Sequence, residues 1–194
     1  MFTKVFINNL SPSSSGHVFF AARLSNKTDV QRDDETDLKR MAAILGITDE
    51  SILRQLRSLG FTSETARLLW LMPSLQVAWA DGYVSLREGE LLLRAACSRA
   101  AVSDLSAKTL LQQWLEQHPS DAFFYQALHS IHSILGTISA ADRALLKEDL
   151  LAHCVEIAAA ARHRNGLQSG LQSGLQSGSA VSENAVISKI AAAL

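Results

Sequence analysis

Leu71-Met72-Pro73-Ser74-Leu75-Gln76-Val77-Ala78-Trp79-Ala80-Asp81-Gly82-Tyr83-Val84-Ser85 is the stretch on which the fold turns. From Leu68 and Leu69 through Trp70, Leu71, Met72 and Leu75 to Val77 and Ala78 it is apolar nearly all round. A helix of that kind has no face to give to water, so it belongs in the middle of its domain. Pro73 lacks an N–H and clashes with the preceding turn, so it should kink this helix or divide it in two. Asp81-Gly82 then breaks the run, and Ser85 stands where a cap for the next helix is needed.

The same helical punctuation extends outward in both directions. Leu38, Met41, Ala42 and Leu45 recur at the spacing of one helix face, and Gly46 follows as a stop. Thr48 offers a cap oxygen, with Asp49 and Glu50 in the first turn of a second helix that carries Ile52, Leu53, Leu56 and Leu59 and stops at Gly60. Thr62 or Ser63 caps the long apolar segment, which runs to Trp79. Further helices are read at about 86–100, 106–117, 121–135 and 140–162, with Pro119 ending the second of these. Cys97, among alanines, and Cys154, beside Val155, read as small core residues, and Trp70, Trp79 and Trp114 as core anchors. Leu-Gln-Ser-Gly occurs three times in succession within Gly166–Gly178, a composition that reads as a flexible loop over 166–180. Ser182 is then the expected cap of a last short helix bearing Val186, Ile187, Ile190 and Leu194, which must dock on the core to be stable. No stretch after residue 33 alternates with period two. The expected class is all-α, a single bundle of about seven to eight helices over 33–194, preceded by a partly mobile segment over 1–32.

Composition removes several function classes. The 194 residues are 47% apolar, enough to bury a sizeable core. Lys plus Arg is 18 against 19 for Asp plus Glu, so the electrostatic case for a nucleic-acid or anionic-membrane partner is absent. Two distant cysteines make no disulfide framework and suit a reducing compartment. The apolar run at 17–22 is too short for a secretory leader, and 68–80, broken by Pro73, Ser74 and Gln76, is too short for a membrane span. A cytoplasmic protein is the expectation.

One turn pattern occurs twice. Gly82-Tyr83-Val84-Ser85 with Glu88 matches Gly136-Thr137-Ile138-Ser139 with Asp142, and Val181-Ser182 echoes it. Capping explains it without any ligand: Gly ends one helix at positive φ, Ser caps the next, and the acid reaches back to the cap N–H. A calcium loop also invites comparison, since Asp81, Gly82, Val84 and Glu88 fall at matching places. Its first ligand positions, however, would be Val77 and Trp79, which cannot coordinate a hard cation. Asp81 opposes the dipole at a helix C-terminus, which an Asx-type bond to the turn would offset. The alternative is a divalent cation shared by Asp81, Glu88 and an acid from elsewhere in the chain.

Other chemistry is thin. His129 and His132 share a helix face, and His153 or Cys154 could complete a transition-metal site, but the residues between them are apolar. No nucleophile elbow, phosphate loop or dinucleotide fingerprint is present in the sequence. No catalytic residue is assigned.

The segment from Leu71-Met72-Pro73 through Val77-Ala78-Trp79-Ala80-Asp81-Gly82, then Val84-Ser85 and Glu88, resembles the tellurite-resistance TerB-like family. Leu45-Gly46-Ile47-Thr48, Leu59-Gly60-Phe61 and Trp114-Leu115 before Pro119 are similar to an uncharacterised bacterial branch of it, so the resemblance spans roughly 40–194. It implies an all-helical bundle whose Ala-Asp-Gly turn joins two central helices. It also implies an association with tellurite and other chemical stress, and divalent-metal binding through acids, here Asp81 and Glu88. Leu135 stands in the second turn where the first has Asp81, which weakens any metal site built symmetrically from the two. The expected function is therefore a non-enzymatic module that binds a protein partner, with a divalent cation at Asp81 and Glu88. A metal-dependent enzyme or metal-handling protein using the same acids is the alternative.

Overall fold

The computed structural model describes residues 33–98, 105–167 and 177–194, with side chains placed for all of these except 162–167 and 177–181. The expected mobile segment over 1–32 lies outside the described residues. The chain divides into two compact units, Met1–Asp37 and Leu38–Leu194. Of the first, residues 33–37 are described, and they are helical.

Among the described residues there are eight α-helices and no strand, so the all-α expectation holds. Helix α1 covers 33–45 and α2 covers Glu50–Ser58. Both end in the same device. Gly46 (φ 69°) and Gly60 (φ 88°) enter the left-handed region, and the next residue bonds back five positions, Ile47 N–H to the Ala42 carbonyl at 3.0 Å and Phe61 N–H to the Leu56 carbonyl at 3.1 Å. Ile47 and Phe61 then bury against the core, which completes the motif. The cap of α2 is Asp49 rather than the expected Thr48; its carboxylate accepts the Ser51 N–H at 2.8 Å. The Ser51 hydroxyl, donating to the same carboxylate at 2.6 Å, and then this N–H bond hold the Asp49 carboxyl below the usual carboxylate range.

The long apolar segment is divided at Pro73, as its ring demands. A 3₁₀ helix, Ala66–Leu71, leads into α3, Met72–Ala78, with the proline in the first turn of α3 where no N–H is needed. Met72, Pro73, Ser74, Leu75, Val77 and Ala78 are all buried. This short helix sits at the centre, packed by α4 (Leu86–Ser98), α6 (Asp121–Thr137), α7 (Ala140–Leu167) and α8 (Ser177–Ala193). Truncating a fully buried leucine such as Leu75 to alanine would cost about 2–5 kcal/mol. Helix α5, Leu105–Glu116, buries Ala107 and Leu111. Its end is held by an aromatic cluster in which Phe61, Trp114 and Phe123 lie 5.5–6.1 Å apart.

Three more expectations change. Cys97 is exposed, while Cys154 is buried. Helix α7 runs through Leu167 and α8 begins at Ser177, so both ends of the expected loop over 166–180 are helical; 168–176 lie outside the described residues. Ser182 is consequently inside α8 and not its cap. Among the described residues no helix is long and apolar enough to cross a membrane.

Candidate functional site

The Asp-Gly turn is built by the exit from α3. Trp79 N–H bonds the Leu75 carbonyl, Ala80 N–H the Val77 carbonyl, and Gly82 N–H the Trp79 carbonyl at 2.9 Å. Gly82 has φ 91°, so a side chain there would strain the backbone. Asp81 makes the expected Asx contact, accepting the Tyr83 N–H, though at a long 3.5 Å. The Trp79 indole N–H donates to the Trp114 carbonyl at 2.9 Å, and its ring meets His118 edge-on at 5.0 Å. Trp79 thus fixes the turn against the end of α5.

Ser85 and Glu88 form a reciprocal capping box at the start of α4. Ser85 N–H donates to Glu88 Oε2 at 2.8 Å, and Glu88 N–H donates to Ser85 Oγ at 3.4 Å. Glu88 is only 2% exposed. Burial pushes its carboxyl above the ordinary carboxylate range, the bonds from Ser85 pull it back, and the negative charges of Asp81 and Glu183 push it up again. Glu183, from α8, is also 2% exposed. Its charge bears on Glu88, yet Asp81, Glu88 and Glu183 do not gather closely enough to form a three-acid metal site. Nothing in the sequence signalled Glu183, because about a hundred residues separate it from the turn. Ser182, its neighbour, donates to the Ala80 carbonyl at 2.7 Å and brings α8 onto the turn.

The second turn is not a structural copy of the first. Gly136 keeps a helical place inside α6, and the chain leaves that helix at Ile138, which is extended (φ −98°, ψ 167°). The loose carbonyls are taken by a later side chain: Arg143 Nε donates to the Leu135 carbonyl at 2.7 Å and another of its nitrogens to the Ile138 carbonyl at 3.3 Å. Ser139 Oγ accepts the Asp142 N–H at 3.1 Å, as a cap should. Asp142, one methylene shorter than a glutamate, accepts the Ser139 hydroxyl at 2.7 Å and not the cap N–H.

The other candidates stay apart. Tyr125 stacks on His129 at 6.5 Å beside a cleft of about 330 Å³ that His132 also lines. His153 instead pairs with Glu156 at 3.8 Å. The Cys154 thiol faces the Ser74 hydroxyl at 3.8 Å, and burial pushes it up to about 11, so it is a protonated thiol at neutral pH and a poor nucleophile. Among the described residues no three His, Cys, Asp or Glu gather closely enough to hold a metal ion.

Beside the Asp-Gly turn, α4 and α5 leave a groove of about 360 Å³. Val84, Leu86, Gly89, Leu93 and Leu115 give it apolar walls; Ser85, Glu90, Gln112 and Glu116 complete the lining. Leu86 is 90% exposed at its edge. Gly89 lies inside α4 without positive φ, and a Cβ there would meet only Leu115 Cδ1, at 4.0 Å. Neither backbone geometry nor internal packing asks for glycine, which costs about 0.5–1 kcal/mol against alanine in a helix. The sequence signal that could have found this groove was that lone glycine in an otherwise helical run, next to an unneeded apolar Leu86.

The chain matches no protein-family profile, and no characterised protein and no solved structure is significantly similar to it.

Proposed function

We propose that this chain is a TerB-like helical module of the bacterial tellurite and chemical-stress type, which acts in the cytoplasm by binding another protein rather than by catalysis. The observation that supports this is the apolar groove between α4 and α5, open beside the Ala80-Asp81-Gly82 turn with Leu86 exposed at its edge. Apolar surface left in a concave, pre-formed place is what a partner's side chains replace water from. At the turn, Glu88 closes the cap of α4, and Cys154, against Ser74 in α3, is held protonated, so neither reads as a catalytic group. The test is a photo-crosslinking residue at position 86 of the full chain in cells, against the same residue at Leu145, which is exposed on α7. A discrete protein adduct at 86 and none at 145 is expected; no adduct at 86 overturns the reading.

Asp81 and Glu88 are the residues through which a divalent cation would tune the module. The support is electrostatic: the charges of Asp81 and Glu183 bear on Glu88, and a cation would relieve that repulsion. Titration of chelator-stripped chain with Ca²⁺, Mg²⁺, Mn²⁺ and Zn²⁺, with Asp81→Asn alongside, decides it. Binding lost in the variant supports the cation site, and turnover accompanying that binding would favour the metal-handling or metal-dependent enzyme instead. No heat with any ion leaves the turn a cap.

A further inference from the structure

We infer that the α4–α5 groove receives an amphipathic helix of a partner protein, apolar on the inserted face and flanked by Lys or Arg. This rests on the protein-binding reading above and names the chemistry of the partner.

Three observations carry it. The first is Gly89. It stands at the groove wall in mid-helix, where this chain's own backbone and packing would accept a side chain. Glycine in such a place lets another chain approach the helix closely. The second is the distribution of apolar and polar groups. Leu86, Leu93 and Leu115 offer an apolar track along the groove, which is how a helix with apolar residues at i, i+3 or i+4 and i+7 is received. The polar lining groups Glu90, Gln112 and Glu116 are all exposed, so no buried charged or amide side chain is present there to orient a small polar ligand. The third is charge. The two ionisable residues of the lining are both acids, Glu90 and Glu116, while the nearby cations Arg87 and Arg94 of α4 are not part of it. A basic flank on the occupant meets those carboxylates, and an acidic one is repelled.

The experiment pans a display library of random dozen-residue peptides against the full chain, with Gly89→Met as the counter-target. Enriched peptides are expected to place apolar residues at i and i+3 or i+4 between Lys or Arg. The best of them, synthesised, should bind with a Kd of about 100 µM or tighter. It should bind about tenfold more weakly to Gly89→Met, and again to a Glu90→Lys, Glu116→Lys double variant, whose exposed positions leave folding undisturbed. Thermal melts of each variant confirm that it is folded. No enrichment over the counter-target overturns the inference, as do enriched peptides of net negative charge. Self-association that Gly89→Met abolishes also overturns it and gives the groove to a second copy of the chain. Failure here with a discrete adduct at position 86 would remove the basic helix and keep the protein-binding reading; absence of that adduct would remove both.

Discussion

Ser182 donates its hydroxyl proton to the carbonyl of Ala80 at 2.7 Å, joining two residues 102 positions apart. Ala80 lies just past the end of α3, where helix carbonyls have lost their intrahelical partners. A side chain from the last helix therefore closes the end of the central one. The same docking lets the charge of Glu183 bear on the buried carboxylate of Glu88. Attraction at one residue and repulsion at the next are thus set against each other on a single turn of α8.

Ser182→Ala removes the bond and leaves the carbonyl to water. A loss of about 1 kcal/mol is expected. Hydrogen exchange should quicken in α8 and leave α2 as it was. An unchanged denaturation midpoint with unchanged exchange in α8 would mean that apolar packing of Ile190 and Leu194 alone holds the helix.

Glu88 makes stability depend on pH in a definite direction. Its folded-state proton affinity lies above the ordinary value of 4.5, so the folded chain holds the proton more tightly than the unfolded one. This contribution is present below about pH 4.5 and is lost as pH rises through the folded value. Glu88→Gln cannot ionise yet still accepts the Ser85 N–H. It should flatten the pH dependence, gaining on the parent chain as pH rises. Glu88→Ala loses the cap acceptor and should be about 1 kcal/mol less stable at any pH where the parent cap is formed. Urea midpoints between pH 4.5 and 8 check both. Parallel curves for the parent and Glu88→Gln would remove burial and the neighbouring charges as an explanation.

Gly89→Ala should stabilise the fold. The added methyl meets only Leu115 Cδ1 at 4.0 Å, and α4 gains a better helix former. An increase of about 0.5–1 kcal/mol follows, or a few degrees in Tm. Calorimetry on the full chain reads it. A decrease would mean that the groove wall has no room for even one methyl group.

The two cysteines should differ sharply toward alkylation at pH 7.5. Cys97 is exposed and should react, while Cys154, buried and with its thiol at about 11, should not. Intact-mass measurement should find one adduct on the native chain and a second only after denaturation. Comparable rates at the two positions would place Cys154 in a far more open site.

The sequence by itself determined what depends on neighbours along the chain. Gly46, Gly60 and Gly82 stop helices because only glycine enters the left-handed region cheaply. Pro73 divides the apolar run because its ring forbids the helix behind it. Ser85 and Glu88 close a box because three residues of helix bring them together. Even so, a shared pattern did not ensure identical turns. Gly136 stays helical, and Arg143, from the next helix, reaches back to the carbonyls of Leu135 and Ile138. Tertiary structure alone decided the rest. It turned Cys97 outward, put Ser182 on the Ala80 carbonyl, brought the charge of Glu183 to bear on Glu88, and opened the groove at Gly89. Helix starts and stops are fixed by backbone sterics and hydrogen bonds that reach a few residues. Which faces of α4, α5 and α8 meet a neighbour depends on how all the helices fill space around α3, and no local pattern encodes that.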